Sequence, residues 1–258
     1  MTAGQKQVAD LSQYDGLLFD LDGVITRTAT VHAAAWKQLF DAFLERWGSE
    51  HGEQLEPFDI ATDYVRYVDG RRRYDGVAEF LRSRGIELPW GDPDDPHDAQ
   101  TVCGLGNRKN GYFVEQLAEQ GAEVFDDTVD LVREMRHRGS RIAVVSASEN
   151  CELILRRAGL LDLFEVRVTG IEAADLELPG KPEPDTFLKA ADLLGTAPER
   201  SVVFEDAISG VEAGRAGGFG LVVGVDRRGE GDLLAEHGAD VVTSDMREFI
   251  AQLPPTDQ

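Results

Sequence analysis

Leu17-Leu18-Phe19-Asp20-Leu21-Asp22-Gly23-Val24 is an apolar run followed by two aspartates and a glycine. Leu17–Phe19 predicts a buried β-strand, and Gly23 allows a tight turn directly after it. The two aspartates place carboxylates at the carboxyl end of this strand. Buried carboxylates are costly unless a cation or a reaction uses them. An ordinary Asp-Gly turn is the alternative, and the rest of the chain must decide between the two.

A regular alternation of short apolar runs and amphipathic segments follows residue 121. The predicted strands are Ile142–Val145, Val166–Val168, Val202–Phe204, Leu221–Val225 and Val241–Val242. The predicted helices lie near 127–138, 150–158, 184–194, 207–216 and 230–237. This β-α-β alternation is typical of a mostly parallel sheet with helices on both faces. We therefore predict an α/β fold, a doubly wound, Rossmann-like sheet that includes Leu17–Phe19.

A helical insertion is predicted between the first strand and the rest of the sheet. Apolar residues at helical spacing begin at Val31, and further helices are expected over 60–68, 75–84 and 99–120. Loops are expected over 48–59 and 89–98, and residues 1–13 read as a loose lead-in. The predicted organisation is a catalytic core of residues 1–29 plus 122–258 and an all-helical cap of residues 30–121.

Polar side chains follow three of the predicted strands. They are Asp20 and Asp22, then Ser146-Ala147-Ser148, then Glu205-Asp206. In an open parallel sheet, strand ends of this kind meet at one edge, where ligands bind. Several adjacent carboxylates need a cation, and Mg²⁺ is the usual one beside phosphate. The side chains of Asp20, Glu205 and Asp206 would bind this cation, together with the backbone carbonyl of Asp22. Ser146 and the backbone N–H groups from Ala147 onward would suit the oxygens of a phosphate at a helix start.

Lys181 lies in the stiff segment Gly180-Lys181-Pro182-Glu183-Pro184, just before a predicted helix. It can be a fixed positive charge at the same edge, and a surface lysine in a loop is the alternative. Together these residues indicate phosphoryl transfer through a covalent aspartyl phosphate. Asp20 would be the nucleophile and Asp22 the general acid and then the base. Lys181, Ser146 and Mg²⁺ would stabilise the charge on the transferred group.

Four segments in this order resemble the motifs of the haloacid dehalogenase superfamily. They are Phe19–Val24, Val144–Ser148, Gly180–Pro182 and Phe204–Ala207. The insertion resembles the C1-type cap of that superfamily. The resemblance implies a phosphatase or a phosphomutase, because the dehalogenase branch lacks both the acid at the position of Asp22 and the metal.

A finer resemblance, from about residue 15 to 245, is to the β-phosphoglucomutase branch. It implies that Thr28 and His32 belong to a hinge that helps position Asp22, and that Arg73 binds the distal phosphate of a bisphosphate. The full set of cap and substrate contacts that it implies is Thr28, His32, Trp36, Gly70, Arg71, Arg73, Lys109, Ser148, Glu149 and Asn150. From the residues alone, Arg71–Arg73 could also be a solvated basic face, and Trp36 could simply pack in the core.

Three positions depart from the pattern of that branch, although none lies in the four motifs. Arg27 stands where an aspartate is common, and Phe125-Asp126-Asp127 replaces an aromatic-Pro-Gly segment. Glu149 stands where the branch has a lysine, which reverses the charge near the substrate. A carboxylate there would repel a second phosphate, so Glu149 puts the assignment of a bisphosphorylated substrate in question.

Three functions remain as hypotheses. The first is a Mg²⁺-dependent mutase that interconverts β-glucose 1-phosphate and glucose 6-phosphate through a bound bisphosphate. The second is a phosphatase of sugar or polyol phosphates, which would use the same core residues. The third is a non-catalytic binding protein on this fold, and the intact Asp20, Asp22, Lys181, Glu205 and Asp206 argue against it.

The composition and net charge restrict the kinds of partner that the protein is expected to bind. The formal net charge of −22 argues against a broad surface for nucleic acid or for an anionic membrane. Met1–Tyr14 contains no apolar targeting segment, and no run of the chain is long enough to span a membrane. Cys103 and Cys151 are far apart in no metal-binding spacing, which predicts free thiols in a reducing cytoplasm. We expect a cytoplasmic, monomeric enzyme whose partner is a phosphorylated sugar.

Overall fold

The computed structural model describes residues 9–255, which divide into two compact units. The first unit contains the described residues up to Arg27 and from Glu123 onward, and the second is Thr28–Ala122. Residues 1–8 of the expected lead-in lie outside the described residues. For Leu11–Gln13 the expectation of a loose segment is wrong, because these residues form a 3₁₀ turn and Leu11 is fully buried.

The first unit is built on a sheet of six parallel strands, which confirms the predicted fold class. The strands are β1 (Gly16–Phe19), β2 (Arg141–Val145), β3 (Val166–Val168), β4 (Ser201–Glu205), β5 (Leu221–Val225) and β6 (Val241–Thr243). Their order across the sheet is β3-β2-β1-β4-β5-β6. The order reverses at β1, where Phe19 pairs in register with Val144 of β2 and Phe204 of β4. The ends of β1, β2 and β4 are therefore neighbours, as ligand binding at a switch point requires.

Ten α-helices lie within the described residues. They are α1 (Ala29–His51), α2 (Arg73–Ser83), α3 (Val102–Gln120), α4 (Asp126–His137), α5 (Cys151–Ala158), α6 (Gly170–Asp175), α7 (Asp185–Leu194), α8 (Ile208–Ala216), α9 (Gly231–Glu236) and α10 (Arg247–Ile250). The pattern of the sequence did not reveal α6, α10 or the 3₁₀ turns at Leu161–Leu163 and Pro198–Arg200, because these elements are too short to show a period. Among the described helices, none combines the length and the apolar character that a membrane crossing needs.

Apolar side chains of the central strands and of α7 and α8 form the core of the first unit. Leu18 and Val203 of the sheet pack with Phe187 of α7 and Val211 of α8. These strands are apolar on both faces, as is expected when helices cover a parallel sheet. Cys103 in the second unit and Cys151 in the first are buried free thiols, as predicted.

The second unit is helical and has its own aromatic core, in which Phe40, Phe58 and Phe80 pack against one another. The predicted helix over 60–68 is a π-helix, Ile60–Val68, whose start is capped by the side chain of Asp59. The loop predicted from residue 48 begins later, because α1 continues to His51 and ends at Gly52 in the left-handed conformation.

Two segments at the edge of the first unit, around Arg27 and around Phe125, are joined by pairing and stacking. Thr26 and Val124 form an antiparallel bridge. The guanidinium carbons of Arg27 and Arg227 lie 4.2 and 4.1 Å from the centre of the Phe125 ring. These cation-π contacts give a structural role to Arg27, which departs from the pattern of the branch, and to Phe125, the aromatic residue of its segment.

Arg227 also connects this edge to the rest of the first unit through a buried ion pair. Its Nη2 lies 2.9 Å from Asp127 Oδ2, and its Nη1 donates to the carbonyl of Ser244 at 2.6 Å. Asp127 Oδ2 in turn accepts the backbone N–H of Met246 at 2.9 Å. The side chains of Arg227 and Asp127 are only 13% and 9% exposed, so both charges depend on this contact.

We expect the Arg227→Met substitution to lower the free energy of unfolding by about 3 kcal/mol, because it leaves a buried aspartate without its cation. Urea denaturation followed by circular dichroism measures this change. Arg247→Met is the matched control, since Arg247 and Asp130 form an exposed pair whose loss should change the free energy of unfolding much less. Equal losses in the two variants would contradict the structural role of the buried pair.

Candidate active site

Asp20 follows β1 directly and is held at the centre of the sheet edge. Its backbone N–H donates to the carbonyl of Phe204 at 2.9 Å, and the residue is only 6% exposed. The chain then folds into a tight turn, in which the N–H groups of Ile25 and Thr26 both donate to the carbonyl of Leu21 at 2.9 Å. Asp20 is thereby fixed by the strand, whereas the half-buried Asp22 lies in the turn.

Lys181 forms two short ion pairs at this edge. Its Nζ lies 2.5 Å from Asp20 Oδ1 and 2.5 Å from Glu205 Oε1, and it also donates to the carbonyl of Val145 at 3.3 Å. Lys181 is only 4% exposed, so it is not the surface lysine that the sequence left open. One buried ammonium therefore connects the ends of β1, β2 and β4.

Burial and mutual charge shift the pKa values of this pair. Burial raises the pKa of Asp20 well above its usual range, and the carboxylates of Glu205 and Asp22 add to the rise, although Lys181 opposes it. Burial also disfavours the charge on Lys181, but Asp20 and Glu205 outweigh it and raise the lysine pKa. Lys181 is therefore charged at neutral pH, and a further cation would favour the ionised form of Asp20.

The carboxylates of Asp20, Glu205 and Asp206 fit a hard divalent cation. One oxygen from each lies within 4.8 Å of the other two, and all three residues are buried. Lys181 supplies a single positive charge to this group, so an additional cation is electrostatically favoured. An all-oxygen set of buried carboxylates is the kind of site that Mg²⁺ prefers in proteins.

Two glycines make room for these carboxylates, and the four sequence motifs include only the first of them. A Cβ atom on Gly23 would lie 2.0 Å from Asp206 Oδ2, and one on Gly210 would lie 1.8 Å from Glu205 Oε1. Gly210 belongs to the first turn of α8, where a glycine is otherwise unfavourable. The sequence does carry a signal for this role of Gly210, namely a glycine near the start of the helix that follows the two acidic residues.

Ser146 lies at the end of β2 beside the aspartates. Its hydroxyl is 3.5 Å from Asp22 Oδ2, and its Oγ accepts the N–H of Ser148 at 3.1 Å. Asn150 in turn donates its N–H to Ser148 Oγ at 3.2 Å. Ser146 does not itself belong to the helix predicted near 150–158, which is confirmed as α5, Cys151–Ala158. Ser146–Asn150 is instead a turn built by hydroxyl–amide hydrogen bonds, in which Ala147 and Ser148 are half-buried and Glu149 is exposed.

A buried basic cluster lies in the second unit, between α1 and α3. Lys109 is only 3% exposed, and its Nζ lies 2.6 Å from His32 Nδ1 and 4.7 Å from the centre of the Trp36 ring. The His32 ring stacks on Phe113 at 3.9 Å. The structure therefore brings His32, Trp36 and Lys109 together, and Trp36 both packs in the aromatic core and contacts the lysine.

The other residues that the sequence assigned to the cap are spread along the second unit. Gly70 has a positive φ of 68°, which turns the chain after the π-helix. Arg71 follows it and Arg73 begins α2, and both are half-buried. Thr28 is buried just before α1, where its carbonyl accepts the N–H of His32 at 2.9 Å.

Comparison with known proteins shows which family the chain resembles. Residues 14–218 match the family model of the haloacid dehalogenase-like hydrolases. The chain is 49% identical over 236 residues to a β-phosphoglucomutase of Mycobacterium bovis, and the match covers 90% of each chain. It is also 32% identical to the fructose-1-phosphate phosphatase YqaB of Escherichia coli, over 81% of this chain and 96% of that one.

A solved structure shows the same fold. The crystal structure of a β-phosphoglucomutase from Clostridium difficile superposes with a TM-score of 0.70 at 22% identity, over 91% of this chain and 92% of that one. The match of the family model extends over most of the chain and includes Asp20, Ser146, Lys181, Glu205 and Asp206. The chain therefore belongs to the haloacid dehalogenase-like hydrolase family.

Proposed function

We propose that the chain is a Mg²⁺-dependent phosphomutase that converts β-glucose 1-phosphate to glucose 6-phosphate through a bisphosphate. The proposal of phosphoryl transfer rests on the buried group in which Lys181 lies 2.5 Å from both Asp20 and Glu205. The similarity to β-phosphoglucomutase over 90% of the chain supports the mutase among the possible phosphoryl transfers. The buried free cysteines support the further proposal of a cytoplasmic enzyme, which we expect to act as a monomer.

The chemistry begins with Asp20. One of its carboxylate oxygens attacks phosphorus, a P–O bond to the sugar breaks, and an aspartyl phosphate forms. Asp22 gives its proton to the departing sugar oxygen and later removes a proton from the hydroxyl that takes the phosphoryl group back. The contact between Asp22 and Ser146 Oγ supports this role, because the hydroxyl can orient the carboxyl group.

Positive charge and polar hydrogens must stabilise the transferred group. Lys181 keeps its charge and is fixed by two carboxylates and a carbonyl, so it is preorganised for phosphoryl oxygens. Asp20, Glu205 and Asp206 would hold Mg²⁺, with the carbonyl of Asp22 as a further oxygen ligand. When bound, this ion would neutralise the carboxylates and withdraw charge from the phosphoryl group.

A mutase must hold a second phosphate, and the basic residues of the helical unit are the candidates. We propose that Arg73, supported by Gly70 and Arg71, binds the distal phosphate, since a guanidinium suits bidentate phosphate binding. We propose that Lys109, His32 and Thr28 act together in the hinge function that the family resemblance implies. Ser148, Glu149 and Asn150 would contact the sugar.

One assay separates the mutase from the phosphatase. The enzyme is supplied with β-glucose 1-phosphate, Mg²⁺ and a trace of glucose 1,6-bisphosphate, and glucose 6-phosphate and free phosphate are followed together. We expect glucose 6-phosphate to form with little phosphate release. Prompt release of phosphate without isomerisation would contradict the mutase and support the phosphatase.

We expect Arg73→Ala to lower the rate of isomerisation about tenfold or more, because the distal phosphate loses a charge-assisted contact. Hydrolysis of a small aryl phosphate, which has no second phosphate, should change much less. The matched control is Arg72→Ala, since Arg72 is the neighbouring arginine and forms a long ion pair with Asp75 at 3.9 Å. A loss of the same size on both substrates would argue against a distal phosphate site at Arg73.

The phosphatase remains the second candidate because of Glu149. This exposed carboxylate lies in the turn that follows β2, next to Ser148 and Asn150. It would repel a second phosphate but would suit a sugar or polyol hydroxyl. The similarity to the E. coli fructose-1-phosphate phosphatase gives this candidate independent support.

A further inference from the structure

Arg228 lies in the loop after β5, next to the acidic residues that follow β4. The two strands are parallel neighbours, and Glu205 pairs in register with Gly224. The loops that follow them therefore run side by side. None of the four sequence motifs includes the loop after β5.

The backbone of this loop is built around Asp226. Its Oδ1 accepts the N–H groups of Arg228, Gly229 and Glu230 at 3.2, 2.6 and 2.9 Å. Gly229 takes a positive φ of 80°, which completes the turn. Three hydrogen bonds to one oxygen hold the backbone at Arg228 in a defined position.

The side chain of Arg228 reaches Asp206 from this position. Its Nη2 donates to the backbone carbonyl of Asp206 at 3.2 Å and lies 3.7 Å from Asp206 Oδ2. Its Nε lies 3.0 Å from Glu230 Oε2. The rigid fork of the guanidinium thus contacts Asp206 and Glu230 at the same time, which a lysine could not reproduce.

Asp206 is confined between Arg228 and Gly23. Its side chain is only 4% exposed, and the Oδ2 that faces Arg228 is also the oxygen for which Gly23 leaves space. Contacts of this kind orient a carboxylate before it binds a metal ion. We infer that Arg228 is a positioning residue for Asp206 and thereby raises the affinity of the site for Mg²⁺, an inference that rests on the proposed Mg²⁺ site.

Two effects of Arg228 on Mg²⁺ oppose each other. Its positive charge repels the ion, whereas its contacts hold Asp206 in place. Glu230 neutralises much of the charge at 3.0 Å, and the Arg228 side chain is 30% exposed, so solvent screens the remainder. The positioning effect is therefore the larger one, and removal of Arg228 should weaken Mg²⁺ binding.

The test is a calorimetric titration of the full chain with Mg²⁺, without substrate. We expect Arg228→Gln to bind Mg²⁺ about tenfold more weakly than the unaltered protein, since partners of metal ligands have effects of this size. Arg215→Gln, which removes one arginine from an exposed pair with Asp240, is the matched control and should bind as the unaltered protein does. Circular dichroism checks that both variants fold.

Unchanged or tighter Mg²⁺ binding by Arg228→Gln would overturn the inference. Weaker binding by Arg215→Gln of the same size would overturn it as well, because net charge alone would then explain the loss. Failure of the unaltered protein to bind Mg²⁺ would instead overturn the proposed metal site. A Glu230→Gln change that adds no further loss in the Arg228→Gln background would support the inference, since Glu230 acts through Arg228.

Discussion

The Asp20→Asn variant is expected to lose at least about 10⁴-fold in turnover, for isomerisation and for hydrolysis alike. The neutral amide has almost the same shape, but it lacks the charge and the nucleophilic oxygen that form the aspartyl phosphate. Its carbonyl oxygen can still accept from Lys181, which contacts Asp20 Oδ1 in the structure. The folded protein should therefore survive while the reaction stops.

Two measurements make this result specific to the nucleophile. Incubation with glucose 1,6-bisphosphate, followed by rapid acid quenching and mass spectrometry, should add one phosphoryl group to the unaltered protein and none to the variant. Asp15→Asn is the matched control, because Asp15 is an exposed partner of Arg200 away from the site, and it should keep full activity. Substantial turnover by Asp20→Asn would overturn the assignment.

The Gly210→Ala variant is expected to lower kcat/KM about 100-fold through a single added methyl group. The new Cβ would occupy the place of Glu205 Oε1, which lies 1.8 Å from its ideal position. Glu205 would have to leave both Lys181 and the proposed metal site, and loss of one preorganised charge typically has an effect of this size. Mg²⁺ binding, measured by calorimetry, should weaken in parallel.

Circular dichroism must show that this variant folds, because displacing Glu205 breaks a buried ion pair with Lys181, although alanine itself favours a helix over glycine by up to about 1 kcal/mol. Gly214→Ala in the same helix α8 is the matched control. Its Cβ would meet the side chains of Val203 and Val222, the nearest atoms at 3.2 Å, so the carboxylates should stay in place. If Gly210→Ala kept full activity and Mg²⁺ affinity, the position of Glu205 would not matter for the reaction.

The parallel sheet and the grouping of Asp20, Ser146 and Glu205 at one edge could be predicted from the sequence. Apolar runs that alternate with amphipathic helices are local patterns, and parallel strands place their carboxyl ends together by geometry. The same patterns also predict the insertion of a helical unit. Short elements such as α6 and α10 could not be predicted, since four to six residues do not establish a period.

The sequence by itself therefore determined the type of fold and the residues that we propose for the chemistry. The tertiary structure decided which groups meet: Lys181 with both Asp20 and Glu205, Gly210 with Glu205, and Arg228 with Asp206. It also showed that Ser146 lies in a turn that precedes α5. Contacts of this kind join residues on different strands and loops, and they depend on strand order and side-chain packing, which local periodicity does not encode.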